Sequence, residues 1–304
     1  MRKRDVRCAH STMPNQQTLY GGFTQMMSYN VTLGLLGVAL TAVGVHHDSA
    51  RPIEPAAPHT VIVTATDYTF AMPGSLPAGP TKFQLVNHGR ELHHLFLVRL
   101  SDGKTAADLA AAMKKPGPLP SWAVEEGGPN GVDPARSSLA TIVDLDPGRY
   151  AALCIIPGPD GVPHVMKGMI RDITVRPAAH RLPAERTPTT TISLVDYGFQ
   201  PTKPLTGGHH LVLVRNDGKQ THELEIAKLL PGKTPRDLAA WAEKMSGPPP
   251  AHFIGGVSPI GPGKSNELAL DLAPGHYVFL CFVPDAKDGK PHVAHGMVSD
   301  FVIR

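Results

Sequence analysis

An excess of charge of either sign is lacking in this sequence, with 29 Lys and Arg against 26 Asp and Glu. The formal net charge is +3 over 304 residues, with the Lys and Arg scattered, so there is no basic footprint for a nucleic acid and no nucleic-acid partner is expected. The patterns of common hydrolytic and phosphate-handling sites are missing too: the chain has no G-x-S-x-G, no H-E-x-x-H and no Gly-rich loop to cradle a phosphate. Long helical patterns are few. In their place stand 30 Gly and 31 Pro, which favour short strands joined by turns over a helical bundle. The length suits two ordinary domains, each able to bury its own core.

No uncharged apolar run reaches the roughly 20 residues of a membrane span. The nearest is VTLGLLGVALTAVGV, residues 31–45, which has the length of a signal-peptide core, with the small residues Ala42, Val43 and Gly44 suited to cleavage. The segment ahead of it is long for such a signal, and a start at Met26 or Met27 would shorten it at the expense of its basic charge. Residues 1–57 therefore read as a signal or anchor segment with its leader. The protein is expected to be exported, periplasmic or extracellular, with an uncleaved anchor as the alternative and the only membrane contact.

Cysteines are so few that each can be followed. Cys8 would be lost with the leader, leaving Cys154 and Cys281. Exported proteins often pair two such residues in a disulfide. These two, however, occupy equivalent places in an internal duplication.

The repeat is plain once the chain is laid on itself. TDYTF (66–70), NHGRELHHL (87–95) and GKTAADLAA (103–111) answer VDYGF (195–199), NDGKQTHEL (216–224) and GKTPRDLAA (232–240) at an offset of 129. LDPGRYAALC (145–154) answers LAPGHYVFLC (272–281) at 127, and PHVMKGM (163–169) answers PHVAHGM (291–297) at 128. The small shifts are loop indels. Residues 58–176 and 191–304 are expected to form two domains, joined by a Pro-rich polar linker over 177–190.

Each unit reads mostly as strand. TVIVTATDYTF, KFQLVNHG, HLFLVRL, SLATIVDL, RYAALCII and MIRDITV in the first unit are β-branched or alternating runs bounded by Gly, Pro, Asn and Asp, and the second repeats them. One short helix is expected in each, from TAADLAAAMKK and TPRDLAAWAEKM. The expected fold is all-β: two tandem Greek-key β-sandwiches, each with an inserted helix. The Pro-Gly-rich stretches 116–134 and 247–263 are expected to be loops.

His93, Cys154, His164 and Met169 in the first unit match His222, Cys281, His292 and Met297 in the second. A thiolate, two imidazoles and a thioether are what copper selects for an electron-transfer site, whereas zinc rarely takes the thioether. Cys ends one strand, a loop returns His, and Met opens the next strand, so one hairpin supplies three donors and a distant strand the fourth. Singly, a strand Cys or Met is most often a core residue. Joint recurrence in both halves outweighs that reading. His46, His47 and His59 form at most a loose surface cluster, and His209, His210, His252, His276 and His295 read as surface residues.

Both units resemble cupredoxins, the blue-copper family, over nearly all of residues 58–304. The resemblance rests on the Asn-containing turns at 87–89 and 216–218, on Tyr150 and Tyr277 four residues before each Cys, and on the C-loop-H-x-x-x-G-M endings. It implies a type 1 copper in each domain, held by His93, Cys154, His164 and Met169 and by His222, Cys281, His292 and Met297, and a redox partner protein. Two departures stand out. The stretch from first His to Cys is long, and His94 and Glu223 follow the first His where small blue-copper proteins commonly have Asn. The family also includes two-domain enzymes, which need His-x-His pairs and a His beside the Cys; Cys154 and Cys281 have neither. The expectation is therefore an electron-transfer protein and not an enzyme, the alternatives being a copper buffer or delivery protein and a metal-free module for binding or assembly.

Overall fold

The structure, a computed structural model, describes residues 57–101, 103–115, 117–178, 186–243, 245 and 247–304. The expected signal, Cys8, His46, His47 and residues 179–185 of the expected linker lie outside them. Among the described residues no helix is long and apolar enough to cross a membrane.

Alternation of apolar and polar residues produces the strands, seen most clearly over Gly79–Asn87, where every second residue is buried. The first repeat contains β1 (His59–Thr66), β2 (Thr69–Ala71), β3 (Ser75–Pro77), β4 (Gly79–Asn87), β5 (Phe96–Leu100), α1 (Ala106–Ala112), β6 (Ala123–Gly127), β7 (Ala140–Leu145), β8 (Gly148–Leu153) and β9 (Ile170–Arg176). The second contains β10 (Thr190–Val195), β11 (Gly198–Pro201), β12 (Gly208–Asn216), β13 (His222–Leu229), α2 (Pro235–Ala242), β14 (Ala251–Ile260), β15 (Ser265–Leu272), β16 (Gly275–Leu280) and β17 (Val298–Ile303). Both helices start on a capping box, Thr105 with Asp108 and Thr234 with Asp237. The stretches expected to be loops need correction: they carry β6 and the whole of β14, hidden from a periodicity reading by the Gly and Pro that flank or interrupt them.

Two sheets run through the whole described chain. One has the order β2-β1-β4-β7-β15-β12-β10-β11, the other β3-β9-β8-β5-β6-β14-β13-β16-β17. In each repeat the inner faces close on an apolar core, Val63, Phe83 and Leu85 against Leu97, Ala152 and Ile173 in the first, and Val212, Val214 and Leu268 against Ile226, Tyr277 and Phe279 in the second. Each helix covers the outer face of the second sheet, with Leu109 and Leu238 fully buried beneath it.

The repeats are joined through their sheets by a local two-fold axis. Between β7 and β15, Ala140, Thr141 and Ile142 pair with Ala269, Leu268 and Glu267; at an offset of 127, Thr141 and Leu268 are equivalent residues, so this pair sits on the axis. In the other sheet Ser258 N–H donates to Gly128 O at 2.8 Å and Asn130 N–H to Gly256 O at 3.3 Å, reciprocal bonds at an offset of 128. Gly128 (φ 115°) and Gly256 (φ 155°) lie where the backbones cross. A Cβ at either would overlap the carbonyl oxygen of Leu95 or Leu224, so glycine is required there.

Candidate metal centres

An Asn turn carries the first His of each cluster inward. Asn87 Nδ2 donates to Glu91 O (2.8 Å) and Val132 O (2.9 Å) while its Oδ1 accepts from Gly89 N–H at 2.8 Å. Asn216 makes the same three bonds, to Gln220 O, Ile260 O and Gly218 N–H, at 2.8, 2.8 and 2.9 Å. The tight turn brings the backbone against the ring, and a Cβ on Gly89 would stand 2.6 Å from His93 Nε2.

The closing hairpin is locked by its own backbone. Cys154, directly after β8, accepts at its carbonyl from Val165 N–H (2.7 Å) and donates its N–H to Met169 O (3.1 Å), and Met169 N–H returns to His164 O at 3.0 Å. His164 opens the 3-10 turn His164–Lys167, which Gly168 ends at φ 98°. Repeat two copies this with Val293 N–H to Cys281 O at 2.8 Å and Met297 N–H to His292 O at 3.0 Å.

Two clusters result. The donor atoms of His93, Cys154 and His164 lie within 4.8 Å of one another, as do those of His222, Cys281 and His292. Cys154 Sγ is 3.4 Å from His164 Nδ1, and Cys281 Sγ is 4.0 and 3.4 Å from Nδ1 of His222 and His292. Met169 and Met297 are fully buried in the same cores as the two thiols. Both Cys are free, each in its own repeat, so the disulfide alternative is absent.

Carboxylates on the far side of the rings decide which nitrogen faces the thiol. His93 Nε2 meets Asp67 Oδ1 at 3.2 Å, His164 Nε2 meets Glu91 Oε2 at 2.8 Å and His222 Nε2 meets Asp196 Oδ1 at 3.0 Å. Nε2 thus carries the proton and Nδ1 presents a lone pair, the usual arrangement of a metal-binding imidazole. His292 Nε2 is 3.8 Å from Asp285. Burial opposes the ionisation of Asp67, but bonds from Arg90 and then His93 outweigh it and hold the carboxyl at about 2. Burial lowers His93, His164 and His222, and His292 to about 4, keeping the rings neutral. The same burial pushes Cys154 up to about 12, and Cys281 well upward, with Glu223 adding to the latter.

Sequence reasoning passed over the acids and their tyrosine neighbours. Asp67-Tyr68 and Asp196-Tyr197 recur at the repeat offset, and that recurrence was the available signal. Tyr68 (φ 78°) and Tyr197 (φ 67°) take the same left-handed conformation. It sets their rings 5.1 and 5.5 Å from those of His164 and His292, and their hydroxyls donate to Glu91 (3.0 Å) and Asp285 (2.5 Å). Of the adjacent pair, His93 joins the cluster and His94 turns away: its Nε2 accepts from Ile155 N–H at 2.9 Å. Glu223 accepts in the same way from Phe282 N–H at 2.7 Å. His59 is exposed. His252 departs from the surface reading, for it is half-buried and bonds Asp133 of the other repeat at 2.8 Å.

The donors fit a soft metal. His93 Nδ1 is buried, without a hydrogen-bond partner, and stands in a cluster with a thiol and a second imidazole; such an atom is unfavourable unless something fills the space between them.

No family model matches the sequence, and no match is found among curated proteins. Among solved structures, auracyanin of Roseiflexus castenholzii is 25% identical, covering 38% of this chain and 94% of its own, at a TM-score of 0.28. A blue copper oxidase from Nitrosomonas europaea is 15% identical, covering 81% of this chain and 86% of its own, at 0.25. A copper-containing nitrite reductase from Thermus scotoductus is 14% identical over 81% of this chain and 61% of its own, at 0.22. These last two, which each cover 81% of the chain, are enzymes. This corrects the expectation that the protein is not an enzyme; lack of His-x-His pairs does not set it outside catalysis. At TM-scores of this size the sheet order and the hairpin-borne clusters mark the fold better than the superposition does. On those features the chain has the cupredoxin-like fold, twice in tandem.

Proposed function

We propose that the protein is an exported copper-binding electron-transfer protein with one type 1 site in each repeat, serving a redox partner protein. The observation that carries this reading is the buried His–Cys–His cluster, formed twice from equivalent residues, with Met169 or Met297 in the same core. His93, Cys154, His164 and Met169 would hold one copper, and His222, Cys281, His292 and Met297 the other. Copper so held supplies one-electron exchange between its two oxidation states.

The chain's own residues do the rest. Asp67, Glu91 and Asp196 keep the proton on Nε2 and aim Nδ1 inward. The Asn turns and the locked hairpins fix the donors before any metal arrives. All six His and Cys donors are fully buried, which excludes water and keeps the thiols from other chemistry. A rigid dry pocket changes little between oxidation states, so each electron moves with little rearrangement.

The test is titration of the purified protein with Cu(II), read as visible absorption and as copper per chain. Two coppers and an intense thiolate-to-copper band are expected, with each of Cys154→Ser and Cys281→Ser removing one copper and its share of the band. A colourless protein that binds no copper would overturn the reading in favour of a metal-free module.

A further inference from the structure

Among the polar side chains buried between the two clusters, close to the local axis, are His94, Asn130, Glu223 and Ser258, at 2%, 2%, 6% and 0% exposure, with Glu225 (3%) beside them on Gly131 N–H at 2.8 Å. They come from both repeats. His94 and Glu223 are equivalents next to the first His of each cluster, and Asn130 and Ser258 are equivalents at an offset of 128. An apolar contact would have joined the repeats without desolvating four polar groups.

Their bonds run in one unbroken line. Ile155 N–H donates to His94 Nε2 at 2.9 Å. That leaves the ring proton on Nδ1, which donates to Asn130 Oδ1 at 3.4 Å. Asn130 Nδ2 donates to Glu223 Oε2 at 3.2 Å, and Glu223 Oε1 accepts from Phe282 N–H at 2.7 Å. Ile155 and Phe282 directly follow Cys154 and Cys281. Gly131 N–H holds Asn130 Oδ1 at 2.9 Å and Val257 O takes its Nδ2 at 3.3 Å, so the amide cannot turn over. Ser258 Oγ lies 3.5 Å from His94 Nδ1 but spends its hydroxyl proton on Pro129 O at 3.0 Å. The route through Asn130 reaches from one thiol residue to the other through side chains.

We propose that this line is an electron bridge between the two centres, a property that rests on the copper reading above. Electron coupling weakens far less along covalent and hydrogen bonds than across gaps between packed atoms, and polarised hydrogen-bond chains strengthen one another. One electron crosses: the donor site goes from Cu(I) to Cu(II), the acceptor site from Cu(II) to Cu(I), and no proton or bond is exchanged. An electron received at one repeat can therefore leave from the other.

The test uses the full two-copper chain, reduced at one site by a flash, with the return to internal equilibrium followed at the two thiolate bands. Asn130→Leu removes the central link and is expected to slow this step by about an order of magnitude, with copper count and bands unchanged. His94→Gln, whose Oε1 stands where Nε2 does, keeps an acceptor for Ile155 but has no donor at the Nδ1 position for Asn130, and is expected to slow it likewise. His252→Ala, which breaks the contact to Asp133 off the line, is expected to leave it unchanged. Equal rates in parent and Asn130→Leu, or equal slowing by His252→Ala, would overturn the bridge. In the metal-free protein, Asn130→Leu is expected to shift the amide resonances of both Ile155 and Phe282; unmoved resonances would refute the line of bonds itself. A parent with fewer than two coppers also defeats the bridge, and the metal-free resonances then show that the metal reading, not the line, was at fault.

Discussion

Acid is expected to weaken the metal-free protein through its buried imidazoles, and His94 offers the cleanest measure. Burial lowers this ring from 6.5 to about 3. Between those values the unfolded chain takes up a proton that the folded chain refuses, so stability rises with pH across the window and is lost as pH falls. At about pH 5, roughly 1.5 pH units below the unfolded value, the loss is close to RT ln(1 + 10^1.5), about 2 kcal/mol. Any folded value below about 4 gives nearly the same loss there. His94→Gln retains an acceptor for Ile155 N–H at the Nε2 position and has nothing to protonate. Urea unfolding of both proteins in chelator, at about pH 7.5 and about pH 5, is expected to show the parent losing about 2 kcal/mol more than the variant. His93, His164, His222 and His292 are lowered in the same way, and Glu223 is raised to about 7; present in both proteins, they cancel in the difference. Equal losses would refute a neutral, buried His94.

Three further outcomes are expected. Gly256→Ala, which drives a Cβ into Leu224 O, is expected to destabilise the chain by about 3 kcal/mol or more in urea unfolding; a change within about 0.5 kcal/mol, the range of ordinary surface substitutions, would show that the crossing is loose. Cys154 and Cys281, buried and protonated, are expected to resist iodoacetamide in the native metal-free protein and to react fully in urea, read by mass; rapid native labelling would show open pockets. Burial raises Glu223; with copper bound, the second site is expected to fall in potential as rising pH ionises this carboxyl, because the carboxylate favours the more positive metal. Redox titration of Cys154→Ser against pH reads this, and a flat potential, or one unaltered by Glu223→Gln, would refute it.

Much of the architecture was legible because the chain writes it twice. A lone Cys154 or Met169 is an unremarkable core residue; the same residues at the same spacing before and after a second His, 127 or 128 positions on, are not. The register with His222 also picks His93 over His94, and the structure places His93 in the cluster. The strands β6 and β14 were less legible, since glycines at the crossing interrupt the alternation on which a strand reading depends. The acids behind the imidazoles were hidden for another reason. Asp67 lies 26 residues before His93, and only the folded β1–β2 turn brings them together. The pairing of one repeat with the other is longer in range still, and nothing local in β7 or β15 announces it.

The joining of the two sheets also governs what could be cut away. A repeat on its own would end in two unpaired rims, β7 and β6 in the first or β15 and β14 in the second, each a row of free N–H and C=O groups ready to template another chain. In the tandem protein these strands are all interior. The rims left outside are β2 and β3, of three residues each, β11, of four, and β17, of six, most of them too short to recruit a neighbour. Each half cut from the chain is therefore expected to expose two unpaired rims and to associate through them, where the intact pair covers both.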